Sequence, residues 1–334
     1  MFPKIIVEKY KIDKKNVYVF NDHRLDGGTK GRVALEFLEI TIEEYLIKHK
    51  KYPICIDYIG PRYGMAQVAL SFAVLDYKEK YNTDLTFRSF TQWKTGKDTE
   101  EMKMVLENEG EIYRIDRYGK DRKETNEKDK PGWKKNTEEY YNKNVQSNKY
   151  ILVPFGGRND LYMDLLYENI ERSLKDVNFC KDFVNNIWVT AGSGTLLNVL
   201  FQVFPNAHFN VMVPGMKIYP DQLEKIHWKN KLPWKEYSNN LNKGYKPQLD
   251  HVYLYINNYH FVKDKYLKYV KDYKLDQYWV AHDFETIKTG SKKFAWNEDK
   301  KHLPPYESSL FYDSKMWKYI KKYGEDGDYI WNVY

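Results

Sequence analysis

The chain has 334 residues, 42% of them hydrophobic and 30% charged, so it is long enough for two compact lobes and typical of a globular protein without a membrane span. Its 54 basic and 47 acidic residues leave a net charge of +7 but form no dense basic block, which favours a surface of mixed sign over a dedicated nucleic-acid site. Only two cysteines and eight histidines are present, without ligand spacing, so neither a disulfide framework nor a metal site is expected.

The first third of the chain alternates between strand and helix patterns. Short apolar pieces between residues 5 and 20 predict strands, and the glycine-rich run 26–31 interrupts them. Apolar residues then recur at helical intervals from 32 to 48, with glutamates on the opposite face. Residues 52–59 have the composition of a buried strand, and residues 65–77 that of an alanine-rich helix. Together they predict a β-turn-α unit.

The same alternation continues downstream. A strand is predicted at 85–90, a helix at 99–108 with Thr99 as its cap, and a strand at 111–115. The charged and Asn-rich segment 118–148 predicts a surface loop followed by a helix, with a mobile lid as the alternative. Alternating strands and helices of this kind imply a parallel sheet.

The second half contains two more such units and a loop suited to an anion. The predicted order is a strand from Tyr150, a helix at 161–174, a strand at 186–190, a helix at 195–204 and a strand at 209–213.

The turn at 191–195, Ala-Gly-Ser-Gly-Thr, opens an apolar helix, so its amides and hydroxyls can hold a phosphate; an ordinary tight turn is the alternative. It matches neither the Walker pattern nor the dinucleotide fingerprint, which favours a phosphate-bearing cofactor that also uses a lysine.

Lys30 is the candidate for that lysine. It follows Gly27, Gly28 and Thr29 and precedes a long helix, a place where a side chain can point into a cleft and lose water. Desolvation lowers the pKa of an amine and makes its neutral form available for Schiff-base chemistry. From position alone, a solvated surface lysine remains the alternative.

Five segments, in order along most of the chain, resemble the 1-aminocyclopropane-1-carboxylate deaminase and D-cysteine desulfhydrase family. Asp26 to Leu38, DGGTKGRVALEFL, is similar to that family's cofactor-lysine segment. The others are 59–73, similar to its glycine turn and alanine-rich helix; 153–159, similar to its Pro-x-Gly-Gly-x-Asn stretch; 191–195, similar to its phosphate loop; and 311–315, similar to its Val-Tyr-(Thr or Glu)-Gly-Lys.

The resemblance implies a tryptophan-synthase-β-like fold, known as fold type II. Such a fold has two open parallel-sheet lobes with the cofactor cleft between them. We expect a smaller lobe at residues 50–150 and a larger, cofactor-binding lobe from 1–49 and 151–334. It also implies pyridoxal 5′-phosphate (PLP) bound to Lys30 as a Schiff base.

The resemblance further assigns roles to particular residues. Lys30 and Tyr312 are the implied catalytic residues. The implied cofactor-binding residues are Lys30, Tyr63, Gly192, Ser193, Gly194, Thr195 and Asp313, with Asp313 facing the pyridine nitrogen. The implied substrate-binding residues are Arg62, Gly64, Gln67 and Tyr312. Without the resemblance, Tyr312 and Asp313 would be interpreted as a helix start with an aspartate cap.

The sequence departs from the family at the substrate loop. Arg62-Tyr63-Gly64 replaces the family's Ser-Asn-His, and Thr29 replaces the usual Asn before the lysine. An arginine can pair with a carboxylate or phosphate, and a tyrosine can stack on the ring or act as an acid and base. The alternative is that the loop has drifted and its side chains face solvent. The resemblance therefore implies the family's cofactor for this chain more directly than it implies the family's own reactions.

Three functions follow as hypotheses. The first is a PLP-dependent lyase or deaminase acting on an amino acid or related amine. The second is a viral enzyme that uses this site on an aminated nucleotide or a modified DNA base, with which the basic excess is compatible. The third is a catalytically inactive relative that binds a ligand or a partner protein. We expect a cytoplasmic homodimer, since the first residues make a poor signal peptide and the family commonly forms dimers.

Overall fold

The computed structural model describes residues 3–93, 98–116, 133–145, 149–157, 159–213, 252–256, 303–309 and 313–334. The chain divides into two compact units, residues 25–166 and residues 1–24 with 167–334. These units begin and end at other residues than the expected lobes, 50–150 and 1–49 with 151–334. The helix at 31–49 belongs to the smaller unit because it packs on the helix at 65–81, and the strand at 150–153 belongs there because it pairs with the strand at 55–59.

Ten strands and seven α-helices lie in the described ranges. The strands are β1 Val7–Ile12, β2 Lys15–Asn21, β3 Cys55–Ile59, β4 Thr86–Trp93, β5 Glu111–Asp116, β6 Tyr150–Val153, β7 Asn186–Thr190, β8 His208–Val213, β9 Val252–Ile256 and β10 Asp328–Asn332. The helices are α1 Gly31–His49, α2 Met65–Tyr81, α3 Glu100–Glu107, α4 Trp133–Asn144, α5 Asp160–Asp176, α6 Thr195–Val203 and α7 Trp317–Tyr323. None of the helices in these ranges is both long and apolar enough to cross a bilayer.

The unit formed by residues 25–166 contains a purely parallel sheet in the order β5-β4-β3-β6. All five residues of β3 are buried, as expected of a strand covered on both faces. Helix α2 buries small residues such as Ala69 and Ala73, which allows close approach of its neighbours. Thr99 precedes α3, and its hydroxyl accepts a hydrogen bond from the Met102 N–H at 3.3 Å, so the predicted cap is confirmed.

The strand order of this sheet reverses between β3 and β6. Strands β3, β4 and β5 follow one another outward, and β6 then returns to the other side of β3. In open α/β sheets the crevice at the carboxyl ends of the strands on either side of such a reversal is where ligands bind. The segments at that position are 60–64, which follows β3, and 154–157, which follows β6.

The other unit contains a six-stranded sheet in the order β1-β2-β10-β7-β8-β9. All its pairings are parallel except that of β1 with β2, which is antiparallel. Its order reverses between β7 and β10. The residues that follow those two strands, 191–194 and 333–334, therefore lie at the corresponding ligand-binding position of this sheet.

The α/β class with parallel sheets predicted from the sequence is confirmed, and most predicted elements lie within a few residues of the observed ones. Strands β9 and β10 were not predicted, and α7 was anticipated only as a helix start at Tyr312 and Asp313. Strand β10 lies in the middle of its sheet, between β2 and β7, although it is close to the end of the chain. Its pattern DYIWN carries too few residues to identify a strand before its partners are known.

Candidate functional site

Lys30 ends a short 3-10 turn, residues 28–30, that leads directly into α1. Gly27 and Gly28 have φ angles of 78° and 64°, in the left-handed region that glycine adopts without strain. Gly27 also packs against the backbone of Ala69 in α2, where no side chain would fit. The two glycines therefore let the chain turn tightly enough to present Lys30 at the start of the helix.

The Lys30 amine contacts the segment that follows β6. Its Nζ donates a hydrogen bond to the Gly156 carbonyl at 2.5 Å and lies 5.8 Å from the centre of the Tyr162 ring. Burial lowers the pKa of Lys30 from 10.5 to about 8, because the charged ammonium loses water in this position. Lys30 is thus half-buried, with its amine against the segment at the strand-order reversal of the sheet in its unit.

Two buried tyrosines surround this contact. The Tyr162 hydroxyl donates to the Lys30 carbonyl at 2.5 Å, and the Tyr58 hydroxyl accepts from the Gly156 N–H at 3.2 Å. Burial raises the pKa of both tyrosines well above the ordinary value, so both are neutral at physiological pH. Neither tyrosine was among the residues proposed from the sequence.

The loop after β3 carries the predicted substrate-binding residues. The guanidinium of Arg62 stacks on the Tyr63 ring, 4.6 Å from its centre, and donates to the Tyr63 hydroxyl. Both side chains are half-buried. Burial raises the pKa of Tyr63, and the positive charge of Arg62 acts in the opposite direction. Gly64 is buried and forms the start of α2, with its N–H donating to the Pro61 carbonyl at 2.9 Å.

Gln67 supports this loop from within the helix. Its side chain is fully buried; Nε2 donates to the Arg62 carbonyl at 3.0 Å, and Oε1 accepts from the Ser89 hydroxyl at 2.7 Å. The Thr99 hydroxyl donates to the same Arg62 carbonyl at 2.7 Å. The amide of Gln67 is thus engaged in orienting the Arg62 backbone, and its predicted contact with a substrate stays a prediction.

The predicted phosphate loop lies in the unit formed by residues 1–24 and 167–334. It joins β7 to α6, and Gly194, with a φ angle of 80°, is the residue before the helix. The hydroxyls of Ser193 and Thr195 lie 3.1 Å apart. Gly192 and Ser193 are half-buried, whereas Gly194 and Thr195 are buried. A strand that feeds a glycine turn and then a helix N-terminus is the arrangement that binds phosphate groups in proteins.

Asp313 lies beside the end of β7 in the same unit. Its side chain is 2% exposed, and its Oδ2 accepts from the N–H groups of Val333 and Tyr334, each at 3.0 Å. Burial raises the pKa of Asp313 from 3.8 to about 7, although these N–H groups and the neighbouring Thr190 hydroxyl act to lower it. Asp313 is the first residue of the 3-10 turn Asp313–Met316 that leads into α7, and its carboxyl is held by the backbone that follows β10.

The Thr190 hydroxyl faces this carboxyl but forms no hydrogen bond of normal geometry with it, so Asp313 Oδ1 and Thr190 Oγ1 are both buried and weakly engaged, and the buried Asn332 Oδ1 also has no partner among the described residues. Trp331 pairs with Val189, so the residues that follow them, Asn332 and Thr190, are in register on β10 and β7. A buried carboxyl whose second oxygen has only a weakly placed hydroxyl beside it is suited to a further donor or a positive charge.

The remaining predicted residue, Tyr312, lies outside the described residues. The residues missed from the sequence are Tyr58, Tyr162, Thr190 and Asn332. Tyr58 and Tyr162 fall at apolar positions of a strand and a helix, where the pattern indicates core packing. The Gly156-Gly157 pair was quoted as a motif, but no sequence signal connects it with Lys30.

No family model and no curated protein matches the sequence. Among solved structures, the chain is similar to a hydrogen sulfide-producing enzyme from Fusobacterium nucleatum, with 15% identity, a TM-score of 0.44 and 64% of each chain covered. It is similar to an O-ureido-L-serine synthase, with 13% identity, a TM-score of 0.48 and coverage of 98% of this chain and 87% of that one.

A third similar structure is a diaminopropionate ammonia lyase from Escherichia coli that holds an aminoacrylate-PLP azomethine reaction intermediate. The identity is 11%, the TM-score is 0.42, and the match covers 67% of this chain and 59% of that one. The matches thus span less than two thirds of the Fusobacterium and Escherichia chains. The TM-scores of these three structures lie below 0.5.

Proposed function

We propose that the chain is a PLP-dependent enzyme of the tryptophan-synthase-β-like type that acts on an amino acid or a related amine, as a lyase or deaminase. The observation that carries the proposal is the desolvated Lys30 amine, which lies at the strand-order reversal of a parallel sheet with a pKa of about 8. Only a neutral amine attacks an aldehyde. With this pKa about a tenth of the Lys30 amines are neutral at pH 7, compared with well under a thousandth for an ordinary lysine.

We assign the rest of this cofactor to the residues around the second strand-order reversal. In the proposal, the backbone N–H groups and hydroxyls of residues 192–195 bind the phosphate, and Asp313 binds the ring nitrogen. The assignment is supported by the buried Asp313 Oδ1, which has no hydrogen bond of normal geometry from the described residues, although the Thr190 hydroxyl lies nearby. A protonated ring nitrogen is a donor that would satisfy it and would favour the ionised carboxylate.

The bound cofactor supplies an electron-withdrawing ring that stabilises a carbanion next to the substrate nitrogen. The chain's own residues supply proton transfer and orientation. A Lys30 amine with a pKa of about 8 takes up and returns a proton near neutral pH, which suits it to move the Cα proton. An ionised Asp313 would keep the ring nitrogen protonated and so maintain its electron-withdrawing character.

Substrate recognition is assigned to the loop after β3. Arg62 or Gln67 would contact an acidic group of the substrate, and Gly64 would line the same loop. Tyr63 would lie by the ring, and Tyr312 would serve as an acid or base. These assignments extend the sequence resemblance, as do the proposals of a homodimer and of a cytoplasmic location.

The test is the absorption of purified full-length protein after addition of PLP. The wild type should gain a visible band that Lys30→Ala abolishes, whereas Lys51→Ala, which removes an exposed lysine, should keep it. Borohydride reduction followed by peptide mass spectrometry should place the cofactor mass on the peptide that contains Lys30. A wild type without the band, or a cofactor mass on another lysine, would refute the proposal.

The same sample separates the alternatives. Protein that binds inorganic phosphate but forms no visible band would support the inactive relative. Salt-sensitive binding of DNA, with no spectral response to free amino acids, would support an enzyme acting on a nucleotide or modified base.

A further inference from the structure

Two tyrosines of the unit formed by residues 25–166 are almost fully buried, yet both hydroxyls contact the backbone around the Lys30 amine. Tyr58 lies in β3 with 1% of its surface exposed, and Tyr162 lies near the start of α5 with 2% exposed. A buried tyrosine hydroxyl normally requires a partner, and many different backbone groups can serve. Here the partners are the Lys30 carbonyl and the Gly156 N–H. These two residues are also linked to each other, by the hydrogen bond from Lys30 Nζ to the Gly156 carbonyl.

These hydrogen bonds restrain both the backbone and the side-chain amine of Lys30. Its carbonyl accepts from the Tyr162 hydroxyl at 2.5 Å, and its amine donates to the Gly156 carbonyl at 2.5 Å. The Gly156 N–H in turn donates to the Tyr58 hydroxyl at 3.2 Å. A lysine side chain has four rotatable bonds, so fixing both its backbone and the acceptor of its amine limits where the nitrogen lies.

The local backbone is adapted to these rings. A Cβ atom on Gly60 would lie 2.2 Å from the Tyr58 ring, and one on Gly157 would lie 3.3 Å from the Tyr162 ring. The N–H of Tyr162 donates to the side chain of Asn159 at 2.7 Å, which fixes the first turn of α5 relative to the glycines. The tyrosines therefore occupy spaces that the glycines of the two loops leave open.

We propose that Tyr58 and Tyr162 are positioning residues for the Lys30 amine, and that the Gly156 carbonyl is the acceptor that holds this amine whenever it is not bonded to an aldehyde. Tyr162 acts on the turn that carries the lysine, and Tyr58 acts on the acceptor. The role of the amine rests on the proposed function, but its positioning can be measured without any cofactor.

A purely structural role makes a different prediction. If the hydroxyls only satisfied buried backbone groups, Tyr162→Phe and Tyr58→Phe would lower stability and leave the reactivity of the lysine unchanged. If they position the amine, their loss should let Nζ leave the Gly156 carbonyl and reach water. The charged ammonium would then be better hydrated, and the pKa of Lys30 would rise towards its ordinary value. Tyr58 and Tyr162 are neutral groups, so the change cannot come from the loss of a charge.

The experiment is competitive labelling of the full-length protein with acetic anhydride between pH 6 and pH 11, with no cofactor added. Mass spectrometry of the Lys30 peptide gives its labelling rate at each pH. In the wild type we expect a midpoint near pH 8. In Tyr162→Phe and in Tyr58→Phe the midpoint should rise by about one unit, which corresponds to roughly a tenfold smaller neutral fraction at pH 7. Tyr77→Phe, at a buried tyrosine of α2 with 6% exposure, should leave the midpoint unchanged.

Midpoints that stay at the wild-type value in both variants would overturn the proposal, as would an equal rise in Tyr77→Phe. If Tyr162→Phe does not fold, Tyr58→Phe decides alone, since it acts on the acceptor and not on the lysine turn. The outcome is independent of the cofactor assignment. A shifted midpoint combined with no visible band after PLP addition would retain the positioning role and refute the proposed function.

Discussion

A Cβ atom on Gly27 would lie 2.3 Å from the Cα atom of Ala69 and 2.5 Å from its Cβ atom. The turn that ends in Lys30 therefore rests directly on the backbone of α2 because residue 27 has no side chain. The φ angle of 78° adds a second reason for glycine, since other residues are strained in that region.

Gly27→Ala should displace the lysine turn from α2. We expect a loss of at least about 3 kcal/mol of stability, from backbone strain and from the clash with Ala69, and a matching loss of PLP binding. Gly327→Ala is the matched control: its φ angle is 90°, but nothing lies within 4 Å of the added atom. Gly327→Ala should lower the free energy of unfolding by the backbone strain alone, which is about 1–2 kcal/mol. Denaturant titration of both variants measures the difference, and equal losses would contradict the packing argument.

The buried ion pair of Asp57 and Arg88 should be a main determinant of stability in the smaller unit. Arg88 donates two hydrogen bonds of 2.7 Å to the Asp57 carboxylate, which is 0% exposed and also accepts from the Tyr141 hydroxyl at 2.7 Å. Arg88→Ala leaves a buried carboxylate without its cation, so we expect a loss of about 3–5 kcal/mol.

Arg114→Ala provides the comparison for this pair. Arg114 contacts Asp98 at the same 2.7 Å, but the side chains are 33% and 27% exposed. Solvent screens such a pair, and its loss should cost no more than about 1 kcal/mol. Thermal or urea unfolding of the two variants under one buffer condition gives the ranking, and a larger effect of Arg114→Ala would reverse our assignment.

Asp313 should make the stability of the cofactor-free protein depend on pH. Its pKa is raised from 3.8 to about 7, so between these values the folded state holds a proton that the unfolded chain releases. Stability should therefore fall as the pH rises through this range, by up to about 1.4 kcal/mol per pH unit from this group. Asp313→Asn removes this contribution. The stability of the variant relative to the wild type should therefore be higher at pH 8 than at pH 4.

Asp84→Asn, at an exposed position, is the control for this experiment and should follow the wild type at both values. Guanidinium titrations at pH 4 and pH 8 give the two differences. Adding PLP at pH 8 should stabilise the wild type more than Asp313→Asn, because the ionised carboxylate gains a cationic partner. Identical pH curves for the wild type and Asp313→Asn would show that the carboxyl is not perturbed.

Gln67→Leu should disturb the loop that carries Arg62. The substitution leaves the buried Ser89 hydroxyl without its acceptor and removes one donor to the Arg62 carbonyl, which we expect to cost about 1–3 kcal/mol. Asn144→Leu, at an exposed position in the last turn of α4, should change stability by less than about 0.5 kcal/mol. If Gln67 instead acts only on the substrate, Gln67→Leu will keep wild-type stability in the cofactor-free protein.

Local patterns were sufficient for most of the secondary structure. The periodicity of residues 32–48 predicted α1, observed at 31–49, and the strand at 186–190 matches β7. The lobe boundaries were placed differently because the unit to which α1 belongs depends on its packing against α2, which no local pattern encodes. Strand β10 was missed because its hydrogen-bonding partners, β2 and β7, precede it by more than 130 residues.

From the sequence alone came the α/β alternation, the glycine turn before Lys30, the glycine loop before α6 and the interest in Asp313. The alternation and the two glycine turns depend on steric and periodic rules that act over a few residues, whereas the role of Asp313 was implied by the family resemblance. Only the tertiary structure decided which groups meet the lysine and the carboxyl. The Tyr162 hydroxyl reaches a residue 132 positions away, and the Asp313 carboxyl is perturbed by burial beneath the end of a sheet. Burial and partner choice depend on how the whole chain packs, and desolvation is what turns an ordinary amine or carboxyl into one that titrates near neutral pH.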